Sequence, residues 1–72
     1  AAQYYTVALK LNPDHKGALE YQGEMFLMLK DLTSAQKNLA RLRQLCPNGC
    51  EEREDLEHDV KEYRASHPKE GS

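Results

Sequence analysis

Between Lys16 and Pro47 the apolar positions fall into two helical patterns, joined by a short polar break at Lys30-Asp31-Leu32-Thr33. In the first pattern Leu19, Gly23, Phe26 and Leu29 form one stripe, and Ala18, Tyr21, Met25, Met28 and Leu32 form a second beside it. A helix apolar on two flanks packs against neighbours on both, so the stretch from about His15 to Lys30 predicts the middle layer of a stack. Its remaining side carries Lys16, Glu20, Glu24 and Leu27, a mostly acidic strip left for water or a ligand.

Residues 1–12 predict a helix with Ala1, Tyr5, Ala8 and Leu9 on one flank and Tyr4, Val7 and Leu11 on another. The second flank needs a cover, either an upstream element or another copy of the chain, and it predicts a homo-oligomer through Tyr4, Val7 and Leu11. Asn12-Pro13-Asp14 ends this helix, because Pro13 disfavours helical geometry at Asn12 and Asp14 can cap the next helix. Thr33-Ser34-Ala35-Gln36 has capping-box spacing, which starts a third helix near Ser34. Its stripe of Ala35, Leu39, Leu42 and Leu45 is narrow and flanked by Lys37, Asn38, Arg41, Arg43 and Gln44, the mark of an outer-layer helix. It stops at Cys46-Pro47-Asn48-Gly49-Cys50, where Gly49 tolerates a left-handed turn. A fourth helix over 51–66 opens with Glu51, Glu52, Glu54 and Asp55, acids that suit the positive end of the helix dipole. Its apolar seam is only Leu56, Val60 and Tyr63, which predicts a terminal lid. Residues 67–72, with Pro68 and Gly71, predict a frayed tail.

Composition narrows the picture. At 72 residues the chain is one small domain, and a domain of this size buries only about 60% of the surface that its unfolded form exposes. With 39% hydrophobic and 31% charged residues and no Trp or Ile, thin helical layers suit it better than a thick sheet core. The formal charge of −2 leaves no basic excess for nucleic acid, so Lys37, Arg41 and Arg43 read as a solvated face. No run approaches the ~20 apolar residues that span a bilayer, and no signal-peptide pattern is present. The chain opens Ala1-Ala2-Gln3 without an initiator Met, which suggests a processed or excised piece.

Pro13 and Pro47 lie 34 residues apart, and the same offset relates Ala1 to Ala35 and Tyr5 to Leu39. With Leu19, Gly23, Phe26, Ala35, Leu39 and Pro47 in these places, the chain resembles the tetratricopeptide repeat family, built on a 34-residue helix-turn-helix unit. Gly23 lets the two helices of a hairpin approach closely, while Phe26 and Leu39 fill the space beside that contact. Gln22 departs from the pattern where the family usually has Leu, and Leu42 where it usually has a small residue. In the next register Leu56 and Val60 fit, but Arg53 and Glu57 replace a bulky and a small residue, as in a capping helix. The resemblance implies an all-α, antiparallel helix-turn-helix solenoid fragment of about four helices, the C-terminal piece of a repeat-containing protein. Residues 1–12 are then the second helix of a partial repeat, 16–47 a full repeat, 51–66 a capping helix, and 67–72 a tail.

Candidate chemistry is sparse. Cys46 and Cys50 can bridge if the turn brings their Cα atoms to about 5.5–6 Å, and a loop this small contributes about 2 kcal/mol on the chain-entropy argument, before any strain. A disulfide is the preferred reading and implies a periplasmic or secreted protein; free thiols, and so a cytoplasmic one, or a metal or redox pair stay open. Glu20 and Glu24 are one turn apart, yet the sequence shows no apolar pocket to tune them as acid and base. His15, His58 and His67 are scattered over a turn, a helix and a tail. No nucleophile elbow, phosphate-cradling loop or zinc-protease helix occurs, so neither catalysis nor a cofactor is expected. Met25, Phe26 and Met28 read as core residues rather than an adaptable binding surface.

In the family the first helix of each repeat lines a concave groove. The resemblance therefore implies a non-catalytic protein-interaction module, with Glu20, Glu24, Leu27, Met28, Glu54, His58 and Lys61 facing the partner. Their charge is mostly negative, which suits a basic or amphipathic helical segment and not a peptide's terminal carboxylate. The rival reading is a structural cap of a longer array whose ligand contacts lie upstream.

Overall fold

A computed structural model of the chain describes residues 2–12 and 14–68, with side chains from residue 7 onward. Expectations resting on Ala1, Pro13, the side chains of Tyr4 and Tyr5, and residues 69–72 lie outside the described residues. The fold is all-helical: α1 (Ala2–Leu11), α2 (Lys16–Met28), α3 (Leu32–Leu45) and α4 (Glu51–Ser66), with no strand among the described residues.

Each helix boundary has a local cause. Past the end of α1, Asn12 Oδ1 accepts a hydrogen bond from the Asp14 amide at 3.1 Å, a side-chain turn that reverses the chain. The cap of α2 is His15 and not Asp14. Its Nδ1 accepts from the Ala18 amide at 3.0 Å, which places the neutral ring's proton on Nε2. Asp14 instead forms an ion pair with Arg41 and so ties the α1–α2 turn to α3.

The chain leaves α2 through Lys30, whose φ of 61° lies in the left-handed region. There the Lys30 amide donates to the Leu27 carbonyl at 3.0 Å and the Asp31 amide to the Phe26 carbonyl at 2.8 Å, satisfying two carbonyls at the helix end. Asp31 then opens the next helix, its carboxylate accepting from the Ser34 amide at 3.2 Å. The capping box expected at Thr33 and Gln36 is therefore not used, and α3 starts at Leu32, two residues earlier than expected. The Asp side chain reached the free amides first.

Packing makes α2 the hub. It touches all three other helices, α4 lies across both α2 and α3, and among the described residues α1 touches α2 alone. Leu19, Leu32, Ala35, Leu39, Leu42, Leu56, Val60 and Tyr63 form one buried cluster, with Leu9, Phe26, Leu27 and Leu45 packed on it. The α3 and α4 stripes thus bury as expected. Polar bonds serve where the sequence departs from an apolar pattern: Asn38 Nδ2 on α3 donates to Gln22 Oε1 at 2.9 Å and to the Leu19 carbonyl at 3.2 Å.

Two expectations about α2 need correction. Gly23 serves the contact between α2 and α4 rather than the α2–α3 hairpin, since a Cβ there would lie 2.7 and 2.9 Å from the two Leu56 methyls. Neither apolar stripe is a core face throughout. Met28, in the second stripe, is 82% exposed and Tyr21 40%, while Leu29, at the end of the first, is 72% exposed. On α1, Val7 and Leu11 are 53% and 83% exposed, so the flank expected to need a cover is open where it is described.

The α3–α4 junction is fastened in three ways. Cys46 and Cys50 form a disulfide with Cα atoms 5.8 Å apart, and Gly49 turns between them with φ of 95°. Arg53 reaches back to donate to the carbonyls of Cys46 at 2.8 Å and Pro47 at 3.3 Å, capping α3 from the next helix. Glu57 accepts from Arg43 at 3.0 Å and Arg53 at 3.4 Å. Arg53 and Glu57, unexplained by an apolar repeat pattern, are this polar clasp. At the far end the His67 ring stacks on Tyr63 with centroids 4.1 Å apart.

Gly23→Val should destabilise the fold by about 1–3 kcal/mol through overpacking against buried Leu56, and Leu56→Ala should recover part of that loss in a double-mutant cycle of chemical denaturation. Reduction of the Cys46–Cys50 bridge should lower stability by about 2 kcal/mol, read as an earlier urea midpoint with reductant and no change in the oxidised control.

Candidate functional site

Close approach at Gly23 has an electrostatic consequence. On α2, Glu20 and Glu24 sit one turn apart beside Gly23; on α4, Asp55 and Asp59 sit one turn apart beside Leu56, with Glu51 and Glu52 in the first turn. When Leu56 closes on Gly23, these flanks meet. Among the described residues none of the six carboxylates belongs to an ion pair; Arg41, Arg43 and Arg53 engage Asp14 and Glu57 elsewhere.

The crowding raises proton affinity. Partial burial, then the hydrogen bond and charge of Asp59, then those of Glu20, push Glu24 from its ordinary 4.5 up to about 7. Glu20 is also raised, first by burial and then by the charges of Asp55, Glu52 and Glu51, while its hydrogen bond with Glu24 acts the other way. Glu24 therefore keeps its proton to a higher pH than an exposed carboxyl does. Beside it α2 exposes Tyr21 and Met28, giving an acidic strip with an apolar margin.

The seven residues expected to share one groove are divided. Glu20, Glu24 and Met28 lie on this side of α2, whereas Leu27 is partly buried against the core. Glu54 lines a small depression at the α3–α4 turn with Pro47, Asn48, Gly49, Arg53 and Glu57. Lys61 lines a cleft between α3 and α4 with Leu39, Arg43, Val60 and Arg64. His58 is exposed, its Nε2 3.2 Å from Glu62. The α4 contributors to the acidic face are instead Glu51, Glu52, Asp55 and Asp59. Their signal is in the sequence, since Asp55 and Asp59 flank Leu56 much as Glu20 and Glu24 flank Gly23. Finding it requires knowing that Leu56 meets Gly23.

Among the described residues no three His, Cys, Asp or Glu side chains are arranged to hold a metal ion, and the two cysteines are bonded to each other. No described helix is long and apolar enough to cross a membrane. No protein-family model, characterised protein or solved structure matches the chain.

Glu24 sets the sign of the pH dependence. In the unfolded chain its proton is released near the ordinary 4.5, while the folded protein keeps it to about 7, so stability falls as pH rises through that window. Glu57, held low by the hydrogen bond from Arg43 and the charge of Arg53, and Asp31, held low by its hydrogen bonds with Ser34, act oppositely and lose their contribution as pH falls through their lowered values. Thermal melts should show greater stability in mildly acidic than in mildly alkaline buffer. Glu24→Gln should flatten that difference and raise the melting temperature on the alkaline side; an unchanged profile would remove the carboxylate cluster as its cause.

Proposed function

We propose that the chain is a non-catalytic protein-binding module, part of a tetratricopeptide-like helical solenoid, whose acidic face between α2 and α4 takes a cationic amphipathic helical segment. The contact order supports the architecture: each helix packs on its sequence neighbour, and α4 also crosses back onto α2, as successive repeats require. The 34-residue offset of Pro13 and Pro47 supports the same reading.

The observation that carries the function is the unneutralised group of Glu20, Glu24, Asp55 and Asp59 beside exposed Tyr21 and Met28. A Lys or Arg laid along the carboxylates relieves like-charge repulsion that the free fold sustains, and an apolar side chain on the same segment covers Met28. Binding then favours ionised Glu24 and expels its proton. The rival reading as a structural cap draws on α4, which buries only Leu56, Val60 and Tyr63 and leaves much of its charged surface in water.

A fluorescein-labelled amphipathic Lys/Leu helical peptide separates the two by anisotropy titration. The binding module should take it with an affinity that falls with salt and rises as pH rises through about 7. Glu20→Gln with Asp55→Asn should weaken it by roughly tenfold, at the level of two exposed charge contacts. Equal affinity for wild type and variant would leave the cap as the better account.

A further inference from the structure

The opposite flank of α4 has the reverse character. Between α3 and α4 lies a cleft of about 320 Å³ lined by Leu39, Arg43, Glu57, Val60, Lys61 and Arg64. Leu39 and Val60 are buried core residues that line it beside the long basic side chains, whose stems are aliphatic. Three cations face one carboxylate here, and that carboxylate, Glu57, is already shared between Arg43 at 3.0 Å and Arg53 at 3.4 Å. Lys61 and Arg64, three residues apart on one face of α4, have no hydrogen bond or ion pair among the described residues.

We propose that this cleft is a second binding surface, which takes a peptide segment pairing a carboxylate with an adjacent aliphatic side chain. The charge specifies the carboxylate: Lys61 and Arg64 lack an anion, while Glu57 holds Arg43 in place at the rim. The lining specifies the aliphatic neighbour, because Leu39, Val60 and the carbon stems of the basic side chains make it mostly apolar. An open-sided groove between two helices suits a chain lying across it better than an enclosed small molecule. Arg64 also sits in the last turn of α4, where a cation complements the helix dipole, but that role asks nothing of Lys61. The two flanks of α4 thus select segments of opposite charge, and the proposal does not depend on the acidic face binding anything.

The test uses the whole oxidised chain and a fluorescein-labelled peptide of alternating Glu and Leu. Anisotropy should show saturable binding, and methyl spectra should shift first at Leu39 and Val60. Lys61→Gln with Arg64→Gln should weaken binding by roughly tenfold, with circular dichroism confirming an intact fold, whereas Lys37→Gln, an exposed cation outside the cleft, should leave it unchanged. A peptide with Ser in place of Leu should bind less well. No saturation, shifts confined to the other flank, or a double variant that binds as wild type would overturn the proposal. So would octanoate displacing the peptide and moving the same methyls more strongly, which would make the site one for a small amphiphile.

Discussion

The placement of α4 depends on the absence of one side chain. At Gly23 the α2 backbone is bare, and Leu56 drops into the space that a Cβ would occupy. Glycine in a helix interior costs about 1 kcal/mol relative to alanine, so the contact must return at least that through burial of Leu56, which is fully enclosed. The same approach brings Glu20 and Glu24 against Asp55 and Asp59. Packing and electrostatics pull in opposite directions there, and the packing wins in the folded chain. The unfavourable partner of that bargain is the raised proton affinity of Glu24.

At the opposite flank of α4, contacts of different chemistry hold the helix down. A covalent bridge between Cys46 and Cys50 limits the turn, Arg53 closes the carbonyl end of α3, and Glu57 joins Arg43 to Arg53. Exposed ion pairs of this kind are individually weak. Their value lies in sharing one carboxylate next to a covalent tether, where little further ordering is needed. The helix is thus held by apolar contact on one side and by polar and covalent contact on the other.

Much of the helix plan could be read from periodicity, since Ala35, Leu39 and Leu42 on α3 and Leu56, Val60 and Tyr63 on α4 are buried at the predicted positions. Boundaries were less legible, because several residues can cap and only geometry decides: His15 displaced Asp14, and Asp31 displaced Thr33. Exposure of Met28 and Leu29 was hidden by their apolar character, which reports affinity for a neighbour and not the neighbour's presence. For the candidate face, Glu20 and Glu24 were readable as an acidic strip, but their facing residues were not. A helix offers two flanks beside its buried seam, and choosing Asp55 and Asp59 over Glu54 and Lys61 takes the rotation set by Leu56 on Gly23.

Asp31 couples two helix ends through a single residue. Its amide closes the last turn of α2 while its carboxylate opens the first turn of α3. Fraying at either end disturbs the shared link, so the α2–α3 hairpin has the local connectivity of one cooperative opening unit. Amides at the end of α2 and the start of α3 would then exchange with solvent on a common timescale. In a small domain whose hub is α2, that coupling lets a disturbance at an exposed turn reach the central helix without crossing the core.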